Sequence, residues 1–233
     1  MKPVGSNGSA PRKMLAVVAH PDDETLGAGG SIARFVRDGG EAWVCIVCDG
    51  VTARHGEARR QRECAERACE VLGVRNVIFC NLPDQRLDTL NLVDVITPIE
   101  ECVADLKPDT VVTHFKEDVN QDHGVVFAAT MVATRPKPGV SVKTVMCFET
   151  ASSTEWAAPF AGGVFAPNVF IDISSTLDTK IEAMTMYAQT HISEVHPYPH
   201  PRSYEAIEVY AKRQGVAVGT SAAESFMLVR SLV

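Results

Sequence analysis

The segment from Ala19 to Glu24, Ala-His-Pro-Asp-Asp-Glu, places one imidazole and three carboxylates next to each other in the chain. Imidazole and carboxylate groups are common ligands of catalytic zinc, which typically has three protein ligands and one water whose pKa falls to about 7. His20 and Asp23 can converge on one such ion, while Asp22 can accept a proton from the water as a general base. Either Asp alone could instead cap a following helix. With His-Pro before the acids and Glu after them, the set favours the chemical role.

A third metal ligand has to come from another part of the chain, and the best candidate is His123. It ends the polar segment Asp118 to His123, which follows an apolar, strand-like run from Asp109 to Thr113. Loops that follow neighbouring parallel strands face each other at one edge of a sheet, so this segment can approach the first motif. A lone histidine is often a satisfied core or surface residue, but the neighbouring Asp122 favours a role as ligand.

Both segments need a rigid sheet edge, and the pattern of the chain predicts one. Buried apolar runs alternate with amphipathic helical segments, which indicates right-handed βαβ crossovers and a mostly parallel sheet. We therefore expect an α/β fold, a Rossmann-like three-layer α/β/α sandwich with a mostly parallel central sheet. The predicted strands are 13–19, 41–47, 75–79, 109–113, 143–148, 168–171 and 225–229, and the predicted helices are 25–38, 57–72, 91–106, 123–134, one starting near Ser174 or Ser175, and 203–214.

Length and composition are those of an ordinary globular protein. The chain has 233 residues, of which 45% are hydrophobic and 22% are charged. Residues 1–12 are rich in Gly, Ser, Pro and Asn, and we expect them to form a flexible leader. We expect the rest, residues 13–233, to form one domain, because no internal repeat or linker is visible in the sequence.

Charge and hydropathy narrow the class of protein further. The formal net charge of −7 argues against a nucleic-acid partner, because nucleic-acid binders usually carry a basic stripe. No apolar run reaches the ~18 residues needed to span a bilayer. The N-terminus also lacks the long apolar centre of a secretory signal. We therefore expect no transmembrane segment and a cytoplasmic location.

The seven cysteines are an odd number, which is typical of reduced thiols rather than of a disulfide framework. Cys45 and Cys48 form a C-x-x-C within a predicted strand, where residues three apart point to opposite faces. This favours a structural role, and a metal or redox role stays open as the alternative.

The two motifs resemble those of the PIG-L/LmbE-like zinc-dependent N-deacetylases, in which Ala-His-Pro-Asp-Asp-Glu is followed about 100 residues later by Asp-His. The resemblance spans nearly the whole chain. It implies that His20, Asp23 and His123 hold Zn²⁺ and that Asp22 is the base, although iron(II) or cobalt also suits such ligands. It further implies a hydrolase that removes the N-acetyl group from an N-acetylglucosamine-type sugar or its conjugate, releasing acetate and a free amine.

Two further segments resemble motifs of the family that contact the sugar. Arg60-Gln61-Arg62-Glu63 matches an Arg-x-x-Glu pattern, and Leu82-Pro83-Asp84 matches a Leu-Pro-Asp pattern. The resemblance implies Arg60 and Asp84 as substrate-binding residues. From the residues alone, Arg60 could equally be a surface charge paired with Glu63, and Asp84 could be a turn residue.

The chain departs from the family pattern at Asn120. Many relatives have His-x-Asp-His here, and the first His helps to stabilise the tetrahedral intermediate, whereas this chain has Asn-Gln-Asp-His. Asn120 can donate a hydrogen bond but cannot carry a positive charge. The Pro-rich loop from His196 to Ser203 offers a replacement, because its prolines can hold His200 over the metal as proton donor to the leaving amine. That loop could instead be a surface or subunit contact, and the oligomers common in the family leave a homo-oligomer open.

Other interpretations stay open beside this one. The protein could hydrolyse a different acyl amide of an amino-sugar conjugate, or it could be a non-catalytic sugar- or metal-binding homologue, although a binding protein needs no free base such as Asp22. The segment from Gly27 to Gly30 lacks the glycine pattern of a dinucleotide site and favours close helix-to-sheet packing. The polar loop from Glu149 to Trp156 suits either a wall of a sugar pocket or a surface loop with one buried Trp.

Overall fold

One seven-stranded sheet lies at the centre of the protein. The computed structural model describes residues 11–50, 58–160, 162–189 and 194–233. The strands are β1 (Lys13–Val18), β2 (Glu41–Cys48), β3 (Asn76–Leu82), β4 (Thr110–His114), β5 (Thr144–Phe148), β6 (Val169–Asp172) and β7 (Ala223–Ser231), and the helices are α1 (Asp23–Arg37), α2 (Ala58–Val71), α3 (Leu92–Leu106), α4 (Gln121–Ala133), α5 (Leu177–Thr185) and α6 (Tyr204–Val218). The strand order is β3-β2-β1-β4-β5-β7-β6. Strand β7 runs antiparallel to both of its neighbours, β5 and β6, and the other four strand pairs are parallel.

Helices cover both faces of this sheet. Successive side chains of a strand point to opposite faces, so Met14 and Ala16 of β1 pack into a core cluster with α1, α2, α5 and α6, while Leu15 and Val17 pack with α3 and α4. The result is a three-layer α/β/α sandwich. The predicted fold class is therefore confirmed, and the predicted strands and helices are present with bounds shifted by a few residues.

The helix that carries His123 starts earlier than predicted. We expected it over 123–134, and it begins at Gln121. The Asn120 side chain accepts a hydrogen bond from the N–H of Asp122 (3.0 Å) and caps the helix. His123 therefore lies inside the first turn of α4 rather than at its first position.

Two predictions fall wholly or partly outside the described residues. The structure describes only residues 11 and 12 of the leader predicted over 1–12, and residue 57 of a predicted helix is likewise not described. Within the described ranges, no helix has the length and apolar character that crossing a membrane requires.

The sheet contains a topological switch point next to β1. The chain passes from β1 to β2 on one side, and later returns to place β4 on the other side of β1. Loops at the carboxyl ends of two such strands diverge and leave a crevice, which is where ligands bind in open α/β sheets. The loop after β1 carries His20, and the loop after β4 leads to His123.

Two glycines let helix α1 pack closely against neighbouring side chains. A Cβ atom added to Gly27 would lie 2.1 Å from the Phe148 ring, and one added to Gly30 would lie 2.7 Å from Ile173. The close-packing role expected for these small residues is confirmed.

We predict opposite stability effects for two alanine substitutions in α1. Gly27→Ala should lower the free energy of unfolding by about 1–3 kcal/mol, because the new methyl group overlaps Phe148. Gly29→Ala is the matched control, since its Cβ would find no atom closer than 3.4 Å. The better helix propensity of Ala should therefore stabilise this variant by up to ~1 kcal/mol. Urea unfolding measures both effects, and equal shifts in the two variants would contradict the packing argument.

Candidate active site

The three predicted metal ligands meet at the carboxyl ends of β1 and β4. His20 follows β1, Asp23 is the first residue of α1, and His123 lies in the first turn of α4. The Oδ2 atom of Asp23 is 3.3 Å from Nδ1 of His20 and 3.4 Å from Nε2 of His123. One ligand atom from each residue lies within 4.8 Å of the other two. The geometry allows the three side chains to share one ion.

The surroundings of His123 fit a metal ligand. The side chain is buried, and neither ring nitrogen has a hydrogen bond of normal geometry among the described residues. Its Nδ1 atom lies 3.1 Å from Oδ2 of Asp118, so a carboxylate stands behind the nitrogen that points away from Asp23. Metal-binding histidines almost always have such a carboxylate or carbonyl behind them. Two imidazoles and one carboxylate are a donor set that suits zinc or another divalent transition metal.

The charges of this group compensate one another. Burial alone would lower the pKa of His20, but hydrogen bonds to Asp122 and Asp23 raise it well above its usual value. Burial would likewise lower the pKa of His123, and the carboxylates of Asp23 and Asp118 raise it. Burial would raise the pKa of Asp23, but the neighbouring imidazoles hold it well below its usual range. A metal ion would displace protons from these imidazoles on binding.

Asp122 fixes the orientation of His20. Its Oδ2 atom lies 3.1 Å from Nε2 of His20 and accepts the N–H of Gln85 at 2.7 Å, while Oδ1 accepts the N–H of Leu87 at 3.1 Å. The Cys48 thiol also donates to this carboxylate, at 3.5 Å. His20, Cys48 and Asp122 thus form a second group of potential metal ligands. Since Asp122 holds the far nitrogen of His20, Nδ1 stays directed at Asp23.

One expectation about the C-x-x-C was wrong. We expected Cys45 and Cys48 on opposite faces of the sheet, but both lie in the core cluster that faces α3 and α4. A register shift in β2 between Ile46 and Cys48 is the cause, because a bulge breaks the strict alternation of side chains. All seven cysteines are free thiols.

We call His20, Asp23 and His123, the residues that could hold an ion, the metal group. Asp22 lies beside this group in a constrained conformation. Its φ of 109° is in the left-handed region that non-glycine residues rarely adopt. The Glu24 carboxylate, itself buried, accepts the N–H of Asp22 (3.1 Å) and supports this turn. The Arg202 guanidinium donates one hydrogen bond to Oδ2 of Asp22 and another to Glu194, both at 2.6 Å. Burial raises the pKa of Asp22 well above its usual value, and Arg202 opposes part of that rise.

The sequence interpretation missed His114, the last residue of β4. Its ring stacks on that of His123 with centroids 3.8 Å apart. Its Nε2 atom accepts the N–H of Ala19 at 2.8 Å, so the lone pair is not available to an ion. Burial and the neighbouring His123 lower the pKa of His114 to about 4, which keeps it neutral. A histidine at the end of a strand that leads to the site was the signal that could have identified it.

An open cavity of about 700 Å³ lies over the metal group. Of the predicted site residues, His20, Asp22, Asp84, Asn120 and His200 line it, together with Pro21, Gln61, Gln85, Val119, Gln121, Ser152, Ser153, Trp156, Glu194, His196 and Arg202. The loop from Glu149 to Trp156 therefore does contribute to the cavity wall. Arg60 is exposed and does not line the cavity, whereas the next residue, Gln61, is buried and does.

The remaining predicted residues have distinct surroundings. Asp84 is buried, with Oδ1 at 3.4 Å from Nε2 of His20. The side-chain oxygen of Asn120 caps α4, which leaves its NH₂ group as the donor on the cavity side of the helix. His200 accepts the N–H of Arg202 at Nδ1 (3.1 Å), and its pKa is lowered by burial and by the nearby His196 and Arg202.

Fold and site together define a class: a Rossmann-like α/β protein with a His-Asp-His group that could hold a metal ion and a separate buried acid at the switch point. The chain belongs to the PIG-L family, described as "PIG-L: GlcNAc-PI de-N-acetylase", which it matches over residues 15–134. It is 31% identical over 170 residues to the Uncharacterized deacetylase YaiS of Escherichia coli (strain K12), an alignment that covers 71% of this chain and 84% of YaiS.

Two further relatives bear on the function. The 1D-myo-inositol 2-acetamido-2-deoxy-alpha-D-glucopyranoside deacetylase of Rhodococcus jostii (strain RHA1) is 28% identical over 280 residues, covering 94% of this chain and 92% of that protein. The crystal structure of GalB, the 4-carboxy-2-hydroxymuconate hydratase of Pseudomonas putida KT2440, superimposes with a TM-score of 0.75 at 24% identity, covering 95% of this chain and 98% of that one. Since a hydratase shares the fold, the reaction has to be argued from the site.

We predict that Asp118→Asn weakens metal binding by about 10–100-fold, because the amide no longer supports His123 as a charged acceptor. Asp105→Asn, an exposed change on α3, is the control. Equilibrium dialysis with Zn²⁺, read by elemental analysis, measures the affinities. Equal affinity in the two variants would show that Asp118 does not support the ion.

Proposed function

We propose that this protein is a zinc-dependent N-deacetylase that hydrolyses the N-acetyl amide of an N-acetylglucosamine-type sugar or its conjugate, releasing acetate and a free amine. The observation that carries the proposal is the group formed by half-buried His20 and buried Asp23 and His123, beside Asp22, an acid outside this set. Membership of the PIG-L family and the names of the YaiS and Rhodococcus relatives support it.

The residues divide the work of amide hydrolysis between them. His20, Asp23 and His123 hold the ion, which when bound supplies Lewis acidity to the acetyl carbonyl and lowers the pKa of water. Asp22 accepts the proton of the attacking water, and the Arg202 guanidinium that contacts its Oδ2 atom favours the ionised form that can accept it. The NH₂ group of Asn120 donates a hydrogen bond to the carbonyl oxygen of the substrate as negative charge develops there.

Asn120 cannot carry a positive charge, and Arg202 supplies one beside Asp22. It is held by Glu194 and by the hydroxyl of Ser152, which accepts from its Nε at 2.6 Å, so its contact with Asp22 has a fixed geometry. We assign Arg202 the role of a positioning residue that orients the Asp22 carboxylate towards water. His200, on the same loop, relays to the leaving amine the proton that Asp22 takes from water, since its lowered pKa favours a neutral imidazole that must first gain a proton.

The proposed sugar contacts come from α2 and from the turn after β3. Asp84 and the Gln61 amide line the cavity and can bind hydroxyl groups of the sugar. The exposed position of Arg60 suits a contact with a part of the substrate that extends past the cavity rim. The free state of all seven cysteines suits a reducing compartment, which supports a cytoplasmic location.

A panel of amides tests the proposal and its alternatives. Metal-loaded protein should release amine and acetate from N-acetylglucosamine or one of its glycosides, and the metal content is measured on the same sample. Release from propionyl or longer acyl analogues alone would favour an amidase of different acyl preference. Tight metal and sugar binding without any release would favour a non-catalytic homologue and contradict the proposal.

We predict that Asp22→Asn lowers kcat by about 10²–10⁴-fold while the bound metal per chain stays constant, because the amide cannot accept a proton. Asn tolerates the positive φ at this position, so the turn should be retained. Asp23→Asn is the matched comparison and should lose metal. If Asp22→Asn lost metal instead, the two aspartates would have the reverse roles.

We predict that His200→Ala and Arg202→Ala each lower kcat by about 10²-fold, for different reasons. Imidazole added to the buffer should restore part of the activity of His200→Ala, and guanidinium should restore part of that of Arg202→Ala. Arg59→Ala, whose side chain is 94% exposed, is the control for loss of a cation. Rescue of both variants by either additive, or of neither, would contradict the assigned roles.

A further inference from the structure

Trp156 is a large aromatic side chain on the cavity wall that the fold itself leaves half uncovered. It is 55% exposed and lines the cavity over the metal group. A tryptophan has a large apolar surface, so leaving half of it in water loses free energy that burial would provide. A smaller or polar residue at this position would lose less. Exposed apolar surface in a concave site typically marks a ligand contact.

The turn that carries this side chain is tied to the metal centre. Trp156 ends a short 3₁₀ turn that begins at Thr154. The Thr154 hydroxyl donates to Oδ2 of Asp118 at 2.7 Å, and the Ser153 hydroxyl donates to Oδ1 of the same carboxylate. Asp118 is also the carboxylate behind His123. The turn from which the indole projects is therefore held at a fixed position relative to the proposed metal ligands, so that binding a ligand there requires little ordering of the backbone.

Two imidazoles continue the surface that Trp156 begins. The His200 ring meets the indole edge-on, with centroids 6.0 Å apart and planes at 88°. The His196 ring lies 4.3 Å from that of His200. All three rings line the cavity. This wall offers the indole as a flat apolar surface and the imidazoles as hydrogen-bonding groups, which together match a ring with one apolar face and polar edges.

We infer that Trp156 and His196 form a second subsite that stacks a ring attached to the acetylated sugar. The inference rests on the proposed function, because it places the reacting sugar at the metal group and the attached ring beyond His200. The cavity volume of about 700 Å³ is in the range that holds a whole drug-sized ligand, more than one sugar ring fills. The preferred substrate is thus an N-acetylated glycoside with a second ring, either a pyranose or an aromatic aglycone.

Fluorescence tests the subsite without requiring turnover. The chain has two tryptophans, Trp43 and Trp156, so Trp43→Phe leaves Trp156 as the only reporter. With Asp22→Asn added to block hydrolysis, the protein is titrated with N-acetylglucosamine, N,N′-diacetylchitobiose and a phenyl N-acetylglucosaminide. Emission should change with one or both two-ring ligands and not with the monosaccharide, and the ligand that acts distinguishes sugar from aromatic stacking. Equal responses to all three ligands, or none, would overturn the subsite.

Kinetics provide the second readout. Trp156→Ala should lower the ratio of kcat/KM for a two-ring substrate to that for N-acetylglucosamine by about tenfold, and Trp156→Phe should restore part of that ratio. Phe160→Ala is the control, because Phe160 is 91% exposed and does not line the cavity. A ratio unchanged in Trp156→Ala would overturn the subsite while leaving deacetylation intact. Absence of hydrolysis of every substrate would instead count against the proposed function, and the fluorescence titration would still decide the subsite.

Discussion

The contact of one carboxylate oxygen with two imidazoles is the interaction on which the site depends. Oδ2 of Asp23 lies close to His20 and His123, and it also accepts the backbone N–H of His20 at 2.8 Å. This contact exists because β1 and β4 are parallel neighbours, so that the turn after β1 and the helix after β4 meet at one edge. A fold in which other strands separated these two would leave the ligands apart.

Burying so many charged groups has a cost, which the chain offsets with a surrounding layer of partners. Desolvation of an unpaired ion costs several kcal/mol, so each buried charge needs a partner in good geometry. Asp122 supports His20, Asp118 supports His123, and Arg202 supports Asp22. These partners also fix orientation. The arrangement that keeps the charges stable in the folded protein is thus the one that directs the ligand atoms at a common point.

The sequence predicted the fold, and the proximity of His20, Asp23 and His123, for local reasons, and it missed what depends on long-range geometry. His20 and Asp23 are three positions apart in the chain, and His123 follows a recognisable strand. Arg202 reaches Asp22 across 180 residues of sequence, and no periodicity reports such a contact. The predicted Arg60 and the cavity-lining Gln61 are neighbours on α2. One position along a helix rotates the side chain by about 100° around the helix axis. Which of the two residues faces the cavity therefore depends on how α2 packs against the rest of the protein.

The site has two parts of different origin. The proposed metal ligands lie within residues 15–134, the part that matches the PIG-L family, whereas Trp156, His200 and Arg202 lie beyond it. With asparagine at position 120, the positive charge beside Asp22 comes from this second part. A guanidinium stays charged across the physiological pH range, which an imidazole does not, so this cation does not depend on the protonation state of the site. The loops that shape the cavity therefore also orient Asp22, and under the proposed function a change of specificity in them would change catalysis as well.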